Sequence, residues 1–170
     1  SPERPERTFV FIHGFGGQAL QWKYQLHKFA LKNRVIALDM RGHGLSDKPS
    51  TGYDMPRIQL DLETALDLLK VSTPMVLVGH SFGGAIITEF AIKHPERIER
   101  LIMIATAGEF KLSPLFKVGL HLPTWSLRLI EPFTKKWLSG PPHALKPYYL
   151  DNLSRWVGWE KFAKLNVPTL

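Results

Sequence analysis

The stretch Met75-Val76-Leu77-Val78-Gly79-His80-Ser81-Phe82-Gly83-Gly84 constrains this chain more than any other. Its four consecutive apolar residues read as a strand buried on both faces. Gly-x-Ser-x-Gly follows, and then Ala85 to Ile92, an amphipathic helix. Strand, sharp turn and helix form the context that makes Gly-x-Ser-x-Gly a nucleophile elbow. Ser81 has to sit at the tip of a turn too tight for ordinary backbone angles. Gly79 and Gly83 carry no Cβ, so strand and helix can close around it. The helix aims its unpaired N–H groups and positive dipole end at the same place, which suits an oxyanion. A glycine-rich turn with an idle serine would show the same pattern, and the pattern alone leaves both readings open.

The rest of the chain repeats the strand-then-glycine-loop arrangement. Thr8 to Ile12 is a short apolar run ending in His13-Gly14-Phe15-Gly16-Gly17, and Gln18 to Lys32 follows with apolar residues at helical spacing. Arg34 to Leu38 is a second buried strand, ending in Asp39-Met40-Arg41-Gly42-His43-Gly44-Leu45-Ser46. Arg57 to Lys70 is an amphipathic helix, with Ile58, Leu62, Ala65, Leu66 and Leu69 on one face. His94-Pro95 closes the helix after the elbow, because the residue before proline is pushed out of helical geometry. Leu101 to Ile104 is a fourth strand.

Strands alternating with helices imply an α/β fold, a doubly wound and mostly parallel sheet covered on both faces. In such sheets ligands bind beyond the carboxyl ends of the strands. The glycine-containing loops after Ile12, Leu38 and Val78 all lie there, so they should converge on one crevice.

Gly108 marks a change of character. Residues 109–166 have no strand-like run and are rich in proline, aromatic residues and lysine. They read as three or four short helices separated by proline turns, with a break at Pro141-Pro142. Val167 to Leu170 looks like a further strand beginning.

The net charge of +7 raises the question of a nucleic-acid partner. Residues 1–108 hold thirteen Lys/Arg against eleven Asp/Glu, and residues 109–166 hold nine against four. The excess is scattered along the second segment with no continuous basic run, which reads as a solvated helical surface and not as a phosphate-tracking groove. A nucleic-acid partner is therefore not expected. No apolar run approaches a membrane span, and Ser1 to Arg7 has no signal-peptide character. Cysteine is absent, which excludes a thiolate metal site and leans towards the cytoplasm. No histidine pair has metal-ligand spacing and no P-loop is present, so neither a metal nor a cofactor is expected.

These residues resemble the α/β-hydrolases of the lid-bearing esterase, C–C hydrolase and epoxide hydrolase type. The likeness covers about residues 8–108. Phe11-Ile12-His13-Gly14-Phe15-Gly16-Gly17 is similar to the family's oxyanion-hole loop. Asp39 to Ser46 resembles its Asp-x-Arg-Gly-x-Gly-x-Ser loop, and His94 to Ile98 its lead into the next strand. The resemblance implies a core over 1–108, a helical lid over 109–166 and the next core strand from 167 to 170. It also implies two strands ahead of Phe9, and an Asp and a His beyond Leu170, so that the chain is an internal fragment inactive alone.

The resemblance implies Ser81 as nucleophile, with the backbone N–H groups of Phe15 and Phe82 as oxyanion donors and Gly14, Gly79 and Gly83 as the elbow and loop glycines. A carboxylate in place of Ser81 would imply epoxide or haloalkane chemistry; serine implies acyl transfer on an ester, thioester or activated C–C bond of a small, partly apolar substrate. A non-catalytic binding protein or receptor on the same scaffold is the alternative. Asp39 is expected to pin its own loop, and Glu109 is a lesser candidate for the acid. His13 and His80 should pack locally, His43 should lie near the crevice without reaching Ser81, and His27, His94, His121 and His143 read as surface or lid residues. The aromatic residues of 109–166 could line a pocket, form that segment's own core, or be left bare.

Overall fold

The computed structural model describes residues 2–71, 74–111, 114, 118–119 and 122–170. In chain order, strand β1 (Thr8–Ile12) leads through a 3-10 turn (Ala19–Trp22) into helix α1 (Lys23–Phe29). Strand β2 (Arg34–Leu38), helix α2 (Met55–Leu68), strand β3 (Met75–His80), helix α3 (Phe82–Lys93) and strand β4 (Ile98–Ile104) follow. Helices α4 (Thr124–Thr134), α5 (Pro142–Tyr148) and α6 (Trp159–Phe162) complete the chain, with a π-helical turn over Tyr149–Leu153.

All strands pair in parallel in the order β2-β1-β3-β4. Thr169 bridges in parallel to Leu101 beyond β4, where the sequence suggested a further strand. β1 is followed by β2 on one side and flanked by β3 on the other. The sheet therefore switches direction between β1 and β3, and loops leaving their carboxyl ends diverge and open a crevice.

The sheet is lined on both faces by alternate residues of the same strands. Val10, Ile12, Met75, Leu77 and Leu101 point to one side, where Ile58, Leu62 and Leu66 of α2 and Ile86, Ile87 and Phe90 of α3 cover them. Phe11, Val76 and Val78 point to the other and meet Trp22, Leu26 and Ile102. β2 is the outer strand among the described residues and is only half-buried along its length. The Arg34 guanidinium reaches from it to the carbonyls of Leu69 and Lys70 at the end of α2.

Two expectations need correction. The single helix over Gln18–Lys32 is a 3-10 turn and a seven-residue helix. Its start is fixed by Asp39 Oδ1, which accepts the Ala19 N–H at 2.6 Å. Its end is fixed by Asn33, whose backbone and side-chain amides both donate to Phe29 O. In the second segment prolines do not all separate helices. Pro142 opens α5, but Pro132 lies inside α4 and Pro147 inside α5. Both sit in the last turn, so each removes one i→i−4 bond but leaves little helix beyond it to be broken. No helix among the described residues is long and apolar enough to cross a membrane.

Leu77 is fully buried at the centre of the sheet. Leu77→Ala should lower the unfolding free energy by about 2–5 kcal/mol, read as a shift of the urea midpoint at unchanged slope.

Candidate active site

Ser81 stands between the last residue of β3 and the first of α3, with φ 51° and ψ −120°. A non-glycine residue in such a conformation costs about 1–3 kcal/mol and persists only where its surroundings over-determine it. Here they do. The Ser81 N–H donates to Ile104 O at 2.8 Å, and Ser81 O accepts from the Gly84 N–H at 2.9 Å. The Thr106 hydroxyl donates to the same oxygen at 3.2 Å. A Cβ on Gly79 would lie 2.6 Å from the Gly83 and Gly84 backbone, and one on Gly83 would run into the carbonyl oxygens of Ile12 and His13. The elbow is thus wedged between the ends of β1 and β4.

The loop after β1 lies directly against it: a Cβ on Gly14 would stand 3.0 Å from Ser81 Cβ. Among the described residues, neither the Phe15 N–H nor the Phe82 N–H is taken up by a protein acceptor. The side chains of these two residues differ. Phe82 is fully buried and packs edge-on against Phe110 and Tyr148, so it is core and not pocket wall. Phe15 is half-buried, beside Tyr148 and Tyr149.

Two histidines latch the first loop to the second. His13 Nε2 accepts the Met40 N–H at 3.0 Å, while its Nδ1 donates to Gly14 O at 2.7 Å. His43 Nε2 accepts the Gly16 N–H at 3.1 Å, while its Nδ1 donates to Arg41 O at 2.9 Å. Each loop therefore lends one imidazole to the other loop's backbone, and each ring is held as the neutral Nδ1–H tautomer. Burial lowers both pKa values, His43 to about 4. Both nitrogens of both rings are committed, so neither is a free base for Ser81.

Asp39 is a pin, as expected. Its carboxylate accepts the N–H groups of Ala19 and Leu45, and its carbonyl accepts the Ser46 hydroxyl. Arg41 forms a two-pronged ion pair with Asp61 of α2 at 2.6 and 2.8 Å, anchoring the loop to the helix layer. Glu109 pairs with Lys111 and Trp159, and Lys111 holds its carboxyl below the usual carboxylate range. Among the described residues no imidazole hydrogen-bonds the Ser81 hydroxyl. His80 Nδ1 is buried beside Gly14 without a partner. His94 is half-buried against Phe90 and bonds Glu63, and His143 bonds Lys48 O, so these two are less superficial than expected. His27 is exposed, and His121 lies outside the described residues.

Sequence reading missed three supports of the site. Ala105, with φ 51°, turns the chain after β4 so that Thr106 meets the elbow. Ser139 lies between the first two loops. Its N–H donates to Gly16 O at 2.9 Å, its carbonyl accepts the Gly44 N–H at 3.1 Å, and its hydroxyl bonds Gly17 O. Asn152 caps Tyr53 O from the π-helical turn. The only signal for Ser139 was its place between Trp137 and Gly140, which carries no register on a loop over a hundred residues away.

A doubly wound parallel sheet, with a serine on a strained strand-to-helix turn at its switch point, defines an α/β protein of the hydrolase type. The family model described as "alpha/beta hydrolase fold" matches residues 7–159, and the chain belongs to that family. It is 33% identical over 131 residues to a mouse protein named (lyso)-N-acylphosphatidylethanolamine lipase, covering 74% of this chain and 38% of that one. It is 38% identical over 104 residues to human epoxide hydrolase 4, covering 60% and 28%. The chain thus spans about a third of the length of these curated relatives. A thermophilic esterase from Thermogutta terrifontis superposes with a TM-score of 0.80 over 97% of this chain and 70% of its own, at 24% identity, which shows the shared fold.

The latch histidines make stability depend on pH with a defined sign. Unfolded imidazoles take up protons below about pH 6.5, whereas folded His43 resists until about pH 4. The associated stability is complete above pH 6.5 and is lost as pH falls towards 4, on the order of 3 kcal/mol for His43. Urea titrations from pH 7 to 4 should show that slope, and His43→Gln should flatten it while lowering stability at pH 7. Gly79→Ala, whose Cβ meets backbone on the other side of the turn, should destabilise more severely than Leu77→Ala in the same assay.

Proposed function

We propose that the protein is a serine hydrolase with Ser81 as nucleophile, acting on an ester, thioester or activated C–C bond of a small, partly apolar substrate. The observation that carries this reading is the strained Ser81 backbone. Strain of this size is maintained where it exposes a side chain for chemistry, and here it presents a hydroxyl beside two untaken N–H groups.

In the proposed reaction Ser81 Oγ bonds to the substrate carbonyl carbon as its proton passes to a general base. The carbonyl oxygen becomes an oxyanion held by the Phe15 and Phe82 N–H groups, with the N-terminus of α3 adding its dipole. Collapse breaks the bond to the leaving group, which departs with a proton and leaves an acyl-serine. Water then adds, the acyl–oxygen bond breaks, and Ser81 regains its proton. His13 and His43 are committed to backbone, and in this reading the general base is the histidine that the family resemblance implies. The relatives named as a lipase and an epoxide hydrolase support hydrolysis in general; serine, and not a carboxylate, supports acyl transfer. The helices of 109–166 act as a lid in this reading, since Tyr148 and Tyr149 pack on Phe15 and Ser139 holds its loop.

A fluorophosphonate probe on the natural protein should label Ser81, and Ser81→Ala should abolish both labelling and p-nitrophenyl ester turnover. Labelling that survives Ser81→Ala, or no labelling of a folded natural protein, refutes the assignment and favours a binding protein on this scaffold. The 170-residue chain alone should turn over such esters hardly at all, because among the described residues no imidazole hydrogen-bonds Ser81.

A further inference from the structure

Helix α4 presents an apolar stripe to solvent. Trp125, Leu129 and Phe133 recur at every fourth residue and so share one face. They are 68%, 71% and 75% exposed. Trp137 continues the stripe in the turn after the helix at 73%, and Leu122 precedes it at 48%. Soluble monomers rarely leave so many large side chains contiguous and bare, and such patches mark interaction surfaces. The buried aromatic residues of the same segment (Tyr148, Tyr149 and Trp156) form a separate cluster to which the stripe does not belong.

The surroundings are basic. A groove of about 550 Å³ runs from Trp137 between Gly16–Lys23 and Lys135–Ser139, and no carboxylate lines it. Lys23, Lys135 and Lys136 stand exposed around it. Lys135 makes a loose pair with Glu131 at 3.7 Å. Leu20 and Leu45, 65% and 99% exposed, add apolar surface on its far wall.

We propose that this face is a docking surface for an anionic lipid bilayer. A helix with aromatic and aliphatic residues along one face and lysines at its flank lies in the interfacial plane of a membrane. Only a partner that is apolar within and negative at its surface satisfies both features. A second copy of this chain matches the apolar stripe but offers the lysines only another basic face. The geometry also gives docking a consequence. α4 runs through Trp137 and Leu138 into Ser139, which is hydrogen-bonded to Gly16. Docking therefore sets the loop that carries Phe15 against the bilayer. The surface itself does not depend on the role of Ser81.

The test is flotation with vesicles of phosphatidylcholine alone and of phosphatidylcholine with phosphatidylserine, followed by tryptophan emission. The protein should bind the phosphatidylserine vesicles with a blue shift, and binding should weaken as salt rises. Trp125→Glu with Phe133→Glu should reduce binding roughly tenfold or more. Lys135→Glu with Lys136→Glu should cost about fivefold per residue on anionic vesicles, and Ser81→Ala should change nothing. These side chains are exposed, so the variants should keep the parent's circular dichroism and melting temperature. Absence of binding by the natural protein overturns the proposal, as does binding unaltered in the Trp125/Phe133 variant. Dimerisation in solution that the same variant abolishes also overturns it, by showing that a second copy covers the face.

Discussion

The fit of Gly83 against the carbonyl oxygens at the end of β1 is the constraint on which the rest of this structure depends. It brings the first turn of α3 within backbone contact of the neighbouring strand, and that proximity leaves Ser81 no room to relax. The strain at φ 51° is then offset by bonds that only this packing permits, from Ile104 on one side and Gly84 and Thr106 on the other. Strand order matters here as much as local sequence. Because β1 and β3 are neighbours at the switch point, the loop with Phe15 and the turn with Ser81 leave the sheet side by side. Had β2 come between them, the same motifs would lie a strand spacing of about 4.8 Å further apart.

Electrostatics in this region is used for position and not for charge. His13 and His43 are exchanged between loops, each accepting one backbone N–H and donating to one carbonyl. An imidazole can do both only when neutral, and burial keeps it so. Asp39 does the complementary task with a carboxylate, which accepts twice at the start of a turn and inside its own loop. The two imidazoles thus fix the loops without charge of their own, and the Asp39 carboxylate is held by backbone N–H groups.

Much of this was legible in the sequence because it was encoded by adjacency. β1 and β2 begin and end at the residues read from their apolar runs, and the elbow was written in five consecutive residues. Asp39 as a loop pin was legible from its motif. The histidine exchange was not, because nothing in His13-Gly14 or Gly42-His43 states which backbone amide each ring will meet. The helix over Gln18–Lys32 was misjudged for a similar reason: its apolar spacing is helical, but its ends are set by Asp39 and Asn33. Pro132 and Pro147 read as breaks and lie within helices, each in the last turn, where the lost i→i−4 bond ends the helix soon after and does not split it. Phe82 is core although its N–H is untaken, because its ring packs edge-on against Phe110 and Tyr148.

The segment after Gly108 divides by burial into two functions that its composition hid. Its aromatic residues look alike in sequence, yet Tyr148, Tyr149 and Trp156 are buried whereas Trp125 and Trp137 are bare. The division follows from what each part touches. The part from Pro142 onward packs on Tyr53, Phe15 and Phe110 and is tied to the core through Asn152–Tyr53 and Trp156–Glu89. Helix α4 packs on α5 and leads beyond its end into Ser139, which is bonded to Gly16. Displacing α4 would draw directly on the Ser139–Gly16 bond and so on the loop that carries Phe15. That bond links the outer helix to the loop that lies against Ser81.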